Sequence, residues 1–211
     1  GVDNISGEMI AVHQDNVAKS KFGIERYASE YARNVNLMEP FFPQSNIQVL
    51  SNSADYSGYF NMYPDPDGVV RWLSAVHKFK DRLYAPLSLV TAGAFLGESL
   101  AIHIEDYGVR AIQIGDRTIP TDESGRVLIN YRGNEKSFRH ISVTDILSGT
   151  VAKDTLKDKI VMVGATAVGI YDLRVTPFGS IYPGIEIHAN IVDSILAEDF
   201  LYRPNWAGIF D

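Results

Sequence analysis

The sequence predicts an α/β domain with a mixed, largely parallel central sheet, flanking helices and a β-hairpin. Three observations carry that prediction. Ile160 to Val163 is an unbroken apolar run ending in Gly164-Ala165-Thr166, as in a strand covered on both faces of a parallel sheet. Gly184 to Ala197 repeats its apolar residues at three- and four-residue spacing, the pattern of a helix that buries one face. Leu100 to Pro120 alternates apolar and polar residues about Asp106–Gly108, the pattern of a hairpin with half-buried strands.

The other elements follow along the chain. Asn16 to Val35 has apolar residues at Phe22, Tyr27, Ala28, Tyr31 and Val35. That spacing predicts a helix, weakened at Gly23 and stopped before Pro40 and Pro43. Ile47 to Asn52 reads as a short buried strand. In Tyr63–Phe79 a Pro-Asp-Gly turn precedes the β-formers Val69–Leu73, and Arg82–Pro86 reads as the returning strand of a hairpin. Pro86 suits the opening of a helix that stops at Gly97. Gly125–Gly133 is a further strand. Ser142 caps a short helix with Asp145 in its first turn and Gly149 as its stop.

Lys159–Gly164 is then the central strand, and a charge placed at Val161 should be buried, unpaired and unfolding. The Gly184–Ala197 helix should pack on that sheet through Ile185, His188, Val192, Ile195 and Leu196. The tail Asp199–Asp211 carries Tyr202, Trp206, Phe210 and Arg203, residue types that favour a membrane–water interface. Pro204 should prevent helix from running on into it. All of 1–211 reads as a single domain.

Composition excludes several classes. Hydrophobic residues make up 45% of 211 residues, enough for a sizeable core. The net charge of -7, with no basic block, removes the electrostatic footprint of a nucleic-acid binder. With no cysteine, disulfides, thiolate nucleophiles and cysteine-ligated metals are excluded. The longest mostly apolar window, Ala85–Gly97, is too short to span a bilayer, which takes about 20 residues. The chain begins without methionine, which reads as a piece of a longer protein.

Lys159–Phe178 resembles a strand feeding a phosphate loop, but it fails that test. Gly164 and Gly169 have P-loop separation, yet Ile170 and Tyr171 stand where Lys and Ser/Thr would hold phosphate and magnesium. The G-x-G-x-x-G fingerprint is absent as well. Asp65–Gly68 does not extend into an EF-hand, because Tyr63 and Ser74 occupy the first and twelfth ligand positions. The five histidines are scattered and make no metal motif. Neither a metal nor a cofactor is expected.

Five stretches, read together, resemble one family: Gly58–Ser74, Val127–Gly133, Ser142–Gly149, Leu156–Phe178 and Pro183–Leu196. Gly-Ala-Thr, Asp172, Thr-Pro and Pro-Gly-Ile-Glu-Ile-His-Ala-Asn occur there in order and spacing similar to the type-2 CHASE domain. The resemblance covers about residues 55–206. The acidic strand and Trp-Pro-Arg-like segment that usually open the family are not seen before Asn16.

The resemblance implies a non-catalytic periplasmic sensor of a bacterial membrane protein, with one transmembrane helix before it and three after. Its cytoplasmic effector would be a nucleotide cyclase or a kinase. The signal would be a small molecule or a periplasmic protein, and a homodimer is the implied assembly. Ligand would sit beside Ala165, Thr166, Asp172, Arg174 and Thr176, with Arg71 and Arg132 as anion partners, since arginine presents a planar fork to carboxylate or phosphate. The rival reading is an α/β enzyme acting on a small molecule at the 164–178 loop.

Overall fold

The computed structural model describes residues 13, 16–166 and 172–202. Within them the strands are β1 (Ile24–Tyr27), β2 (Trp72–Ser74), β3 (His77–Phe79), β4 (Arg82–Tyr84), β5 (Leu100–Glu105), β6 (Gly108–Ile114), β7 (Arg117–Ile119), β8 (Arg126–Leu128), β9 (Leu173–Thr176) and β10 (Gly179–Pro183). The helices are α1 (Gln48–Ser53), α2 (Leu87–Leu96), α3 (Val143–Leu147) and α4 (Gly184–Ala197).

The main sheet has the order β1-β5-β6-β7, and three two-stranded ladders join β2 to β8, β3 to β4 and β9 to β10. Only β1–β5 among these pairings is parallel; the others are antiparallel. The expected largely parallel sheet is therefore wrong. Tight turns join β3 to β4, β5 to β6, β6 to β7 and β9 to β10, and a turn of a few residues can only return a chain antiparallel.

The core lies where the main sheet meets two helices. Ile102, Ile112, Ile114 and Ile119 of the sheet are fully buried, as are Leu89 and Ala92 of α2 and Ile187 and Ile195 of α4. Burying one such isoleucine stabilises by about 1.5–3 kcal/mol. The helix α2 packs on both β5 and α4, which explains why it is apolar on all sides. It begins after Pro86 and stops at Gly97, as its end residues predict. The α3 helix is capped by Ser142, whose side chain accepts the Thr144 amide. The hairpin β5–β6 forms where the sequence places it; Arg82–Tyr84 returns as expected, but beside His77–Phe79, while Trp72 and Leu73 of the Val69–Leu73 run pair with β8.

Three other elements differ. Asn16–Val35 is not a helix: a 3-10 turn at Ala18–Ser20 leads to β1, and a second 3-10 turn covers Tyr31–Asn34. The backbone of β5 explains this. Gly23 and Ala28 donate to Leu100 and Ile104 at 3.0 and 2.9 Å, continuing the ladder at both ends of β1. Pairing along a sheet edge outweighs a weak helix pattern broken by glycine.

Ile47–Asn52 lies on the helix α1 rather than in a buried strand. Ile47, Val49 and Leu50 are exposed, and Gln48 donates to Asn52 at 2.8 Å across one turn. An apolar run this short does not distinguish strand from helix by periodicity.

Lys159–Gly164 is the largest departure. It joins no sheet among the described residues: residues 160–166 are irregular, and Val161 and Val163 are 48% and 77% exposed. Its neighbour is a helix, with Gly164 close against the Ile185 side chain. A charge at Val161 would therefore stay in water, contrary to expectation.

Candidate functional site

The signature residues converge on the first half of α4. Pro183 precedes it in an extended conformation, the backbone that proline favours. Its buried side differs from the predicted stripe: Ile185 and Leu196 are only partly buried and line a groove. Ile187, His188, Ile191, Val192 and Ile195 are buried, and so are Glu186, Asn190 and Ser194.

The buried polar groups stitch α4 to the chain around it. Glu186 accepts the Lys136 amide at 3.0 Å and the Phe138 amide at 3.4 Å, with His140 Nε2 at 3.7 Å from its carboxylate. Asn190 accepts the Arg132 amide at 2.7 Å and donates to the Tyr182 hydroxyl at 3.0 Å and the Glu186 carbonyl at 2.8 Å. Such a fully engaged amide fixes one arrangement, because removing it strands its partners. Tyr131 donates to the Val70 carbonyl at 2.9 Å and meets the Tyr182 ring edge-on at 5.4 Å; burial pushes both phenols above the usual pKa.

His188 is 1% exposed, and neither ring nitrogen makes a hydrogen bond of ordinary geometry among the described residues. Burial lowers its pKa to about 4, and the nearby Phe60 backbone offsets this only in part. It is a neutral core residue, in the place its helical face predicts.

The predicted site residues divide into three sets. Ala165 and Thr166 are exposed at the end of the irregular segment. Asp172, Arg174 and Thr176 lie together on β9 and the residue before it. The Asp172 carbonyl accepts the Gly184 amide at 2.8 Å, and its carboxylate lies over that glycine so closely that an added Cβ would come within 2.4 Å of Oδ1. Arg174 approaches Asp172 at 3.6 Å. Its Nε is buried with no hydrogen-bond partner among the described residues. Thr176 is buried and shapes the β9–β10 turn, accepting the Phe178 amide at 3.3 Å.

Arg71 and Arg132 are held elsewhere. The Arg71 segment runs beside β9, with the Val70 amide donating to the Val175 carbonyl at 2.8 Å. Its guanidinium, however, grips Asp65 at 2.8 Å and Asp67 at 2.7 Å. That contact and the Val69 amide hold Asp67 down to about 2. Arg132 joins Asp193 at 2.6 Å and Asp199 at 2.5 Å.

Sequence reasoning gave no site role to Glu186 and Asn190. A signal existed: the two are four residues apart, so they share a helix face, and that face is bordered by Ile187 and Ile191.

A groove of about 430 Å³ runs between α4 and the 138–166 flank, lined by Ile185, Ala189 and Val192 on one side and Ile146, Val161 and Gly164 on the other. Among the described residues no cluster of His, Asp and Glu could hold a metal ion. Nor is any helix of the described residues long and apolar enough to cross a membrane. Pro204 and the aromatic residues beyond it, like Gly169, Ile170 and Tyr171, lie outside the described residues.

No curated protein and no solved structure matches the chain. The CHASE2 domain family matches residues 8–210, well beyond the 55–206 over which the resemblance was legible. CHASE2 domains are extracytoplasmic sensor modules of signalling membrane proteins and are non-catalytic, which sets aside the α/β-enzyme reading of the 164–178 loop. With the match spanning nearly all of its residues and the signature residues gathered around α4, the chain belongs to the CHASE2 domain family.

Proposed function

We propose that residues 1–211 form the periplasmic sensory domain of a bacterial transmembrane signalling protein, and that it controls a cytoplasmic nucleotide cyclase or kinase as a homodimer. The family match supports the sensor reading. In this reading one transmembrane helix precedes the domain, and three follow the tail at Asp199–Asp211. The signal enters as a small anion at Ala165, Thr166, Asp172, Arg174 and Thr176, while Arg71 and Arg132 stay with their own carboxylates.

One observation carries the choice of anion. Arg71 and Arg132 are paired to carboxylates at 2.5–2.8 Å, whereas Arg174 stands 3.6 Å from Asp172 with its Nε unpartnered among the described residues. Of the three, Arg174 is the arginine whose fork is least satisfied. A carboxylate or phosphate could complete it.

Thermal unfolding in the presence of phosphate, acetate, succinate and citrate is the test. An anion at 100 times its dissociation constant should add about 2.7 kcal/mol, and Arg174→Ala should abolish the shift. Absence of a shift with all four anions, or an equal shift in Arg174→Ala, would remove the loop as the anion site.

A further inference from the structure

A second cavity lies between residues 16–61 and the β3–β4 hairpin, with a volume of about 650 Å³. That is the size range of small-molecule sites. Six aromatic side chains line it: Phe42, Tyr56, Tyr59, Phe60, Phe79 and Tyr84. Tyr56 and Phe60 stand at its rim, 59% and 67% exposed. Large aromatic rings left in water beside a concavity offer faces to a ligand.

One wall is firmly built. Tyr59 stacks on His77 with ring centres 3.7 Å apart and planes 5° from parallel. The Tyr59 hydroxyl donates to the Ser74 carbonyl at 2.7 Å, and its carbonyl accepts the Leu87 amide at 2.7 Å. The opposite wall includes α1, which buries none of its residues. Lys19 holds that wall by donating to the Ser51 and Ala54 carbonyls.

The lining carries little charge. Among its described residues there is no carboxylate, and Lys19 is the one formal cation, already turned to two carbonyls. His77 is buried and its pKa is lowered to about 4 by burial, so it too is neutral. A cationic ligand would find no counter-charge among the described lining residues, and an anion would have to draw Lys19 from the two carbonyls that hold it. Gln44, Asn46 and Asn61 line the same space. Their side-chain amides hydrogen-bond to no other described residue, and each can donate and accept.

We propose that this cavity binds a neutral pyranose sugar. The C–H face of such a ring is apolar and fits an aromatic face, while its hydroxyls match amides that donate and accept. A quaternary ammonium would also suit aromatic faces, but Lys19, and the lack of a carboxylate among the described lining residues, disfavour a cation. A purely aromatic ligand would leave the three amides unmatched.

Saturation-transfer NMR on the 211-residue chain tests this with glucose, galactose, mannose and N-acetylglucosamine, and with choline and indole as rivals. At least one sugar should show transfer to its ring C–H protons. Its affinity should fall about tenfold or more in Phe60→Ala and in Asn61→Ala, two exposed positions whose variants should keep the parent melting temperature. Arg174→Ala should leave sugar binding unchanged, which separates this site from the 164–176 loop. The proposal is overturned if none of the four sugars binds, if binding persists undiminished in both variants, or if choline or indole binds while every sugar fails.

Discussion

Leu100–Glu105 and Ile160–Gly164 are both rich in β-branched apolar residues, yet they end in opposite environments. In the first, Ile102 and Ile104 are buried between neighbours on either side, β1 and β6. In the second, Val161 and Val163 face solvent and no strand of the described residues adjoins them. The difference is one of partners rather than composition. A turn two residues long brings β6 back beside β5, whereas among the described residues Ile160–Gly164 has the side of α4 against it and no strand. Apolarity states that a segment would gain from burial, and connectivity decides whether a partner edge is within reach.

The contrast can be broken most severely in β5. Ile102→Asp would place a charge with no counter-ion at a fully buried position, and should cost more than about 4 kcal/mol. Loss of the cooperative melting transition is the expected result, and a normal melt would mean that β5 is not central.

Acid should have the next largest effect, and it should act on the buried half. His77 and His188 have pKa values lowered from the usual 6.5 to about 4 by burial. The unfolded chain takes up these protons as pH falls below 6.5, and the folded chain does so only near 4. Their stabilisation is therefore present in full above pH 6.5 and is lost as pH falls toward 4, on the order of a few kcal/mol for the pair. Urea midpoints at about pH 7 and about pH 5 should differ in that direction. An unchanged midpoint would show that the two rings are not held neutral by burial.

The smallest effect belongs to the exposed segment. Val161→Asp should change stability by no more than about 0.5 kcal/mol, measured by the same urea titration. A loss like that of Ile102→Asp would show that the segment is buried after all, and would erase the contrast.

What was legible in the sequence was mostly local. Pro86 and Gly97 bound α2, Ser142 caps α3, and three- and four-residue spacing marks α4, because each signal lies within the element it describes. What was not legible depended on distant chain. The strand β1 exists because the backbone of Leu100–Ile104 lies beside it, 77 residues on. Arg132 was expected to meet an anion, but its partners Asp193 and Asp199 lie 61 and 67 residues away. Asp65 and Asp67 are near enough to Arg71 in sequence to have been weighed as its partners, and the Pro-Asp-Gly turn gave reason to do so. At the candidate site, Asp172, Arg174 and Thr176 come together because they share one short strand and its approach. The four-residue spacing of Glu186 and Asn190 hinted at a shared face, but their partners, the Arg132, Lys136 and Phe138 amides, lie 48 to 58 residues away.

The grip of Arg132 on Asp193 and Asp199 has a mechanical meaning. Asp193 lies on the last turns of α4 and Asp199 just past its end, and Asn130 also donates to the Asp199 carbonyl at 3.2 Å. Tension arriving at Asp199 is thus shared by two members in parallel: the axis of α4, and the backbone at Asn130–Arg132 that runs back into β8. A torque on the outgoing chain must rotate both members together or open the clamp. On this geometry the clamp would stiffen the joint at low load and open at high load, since its carboxylates are half exposed.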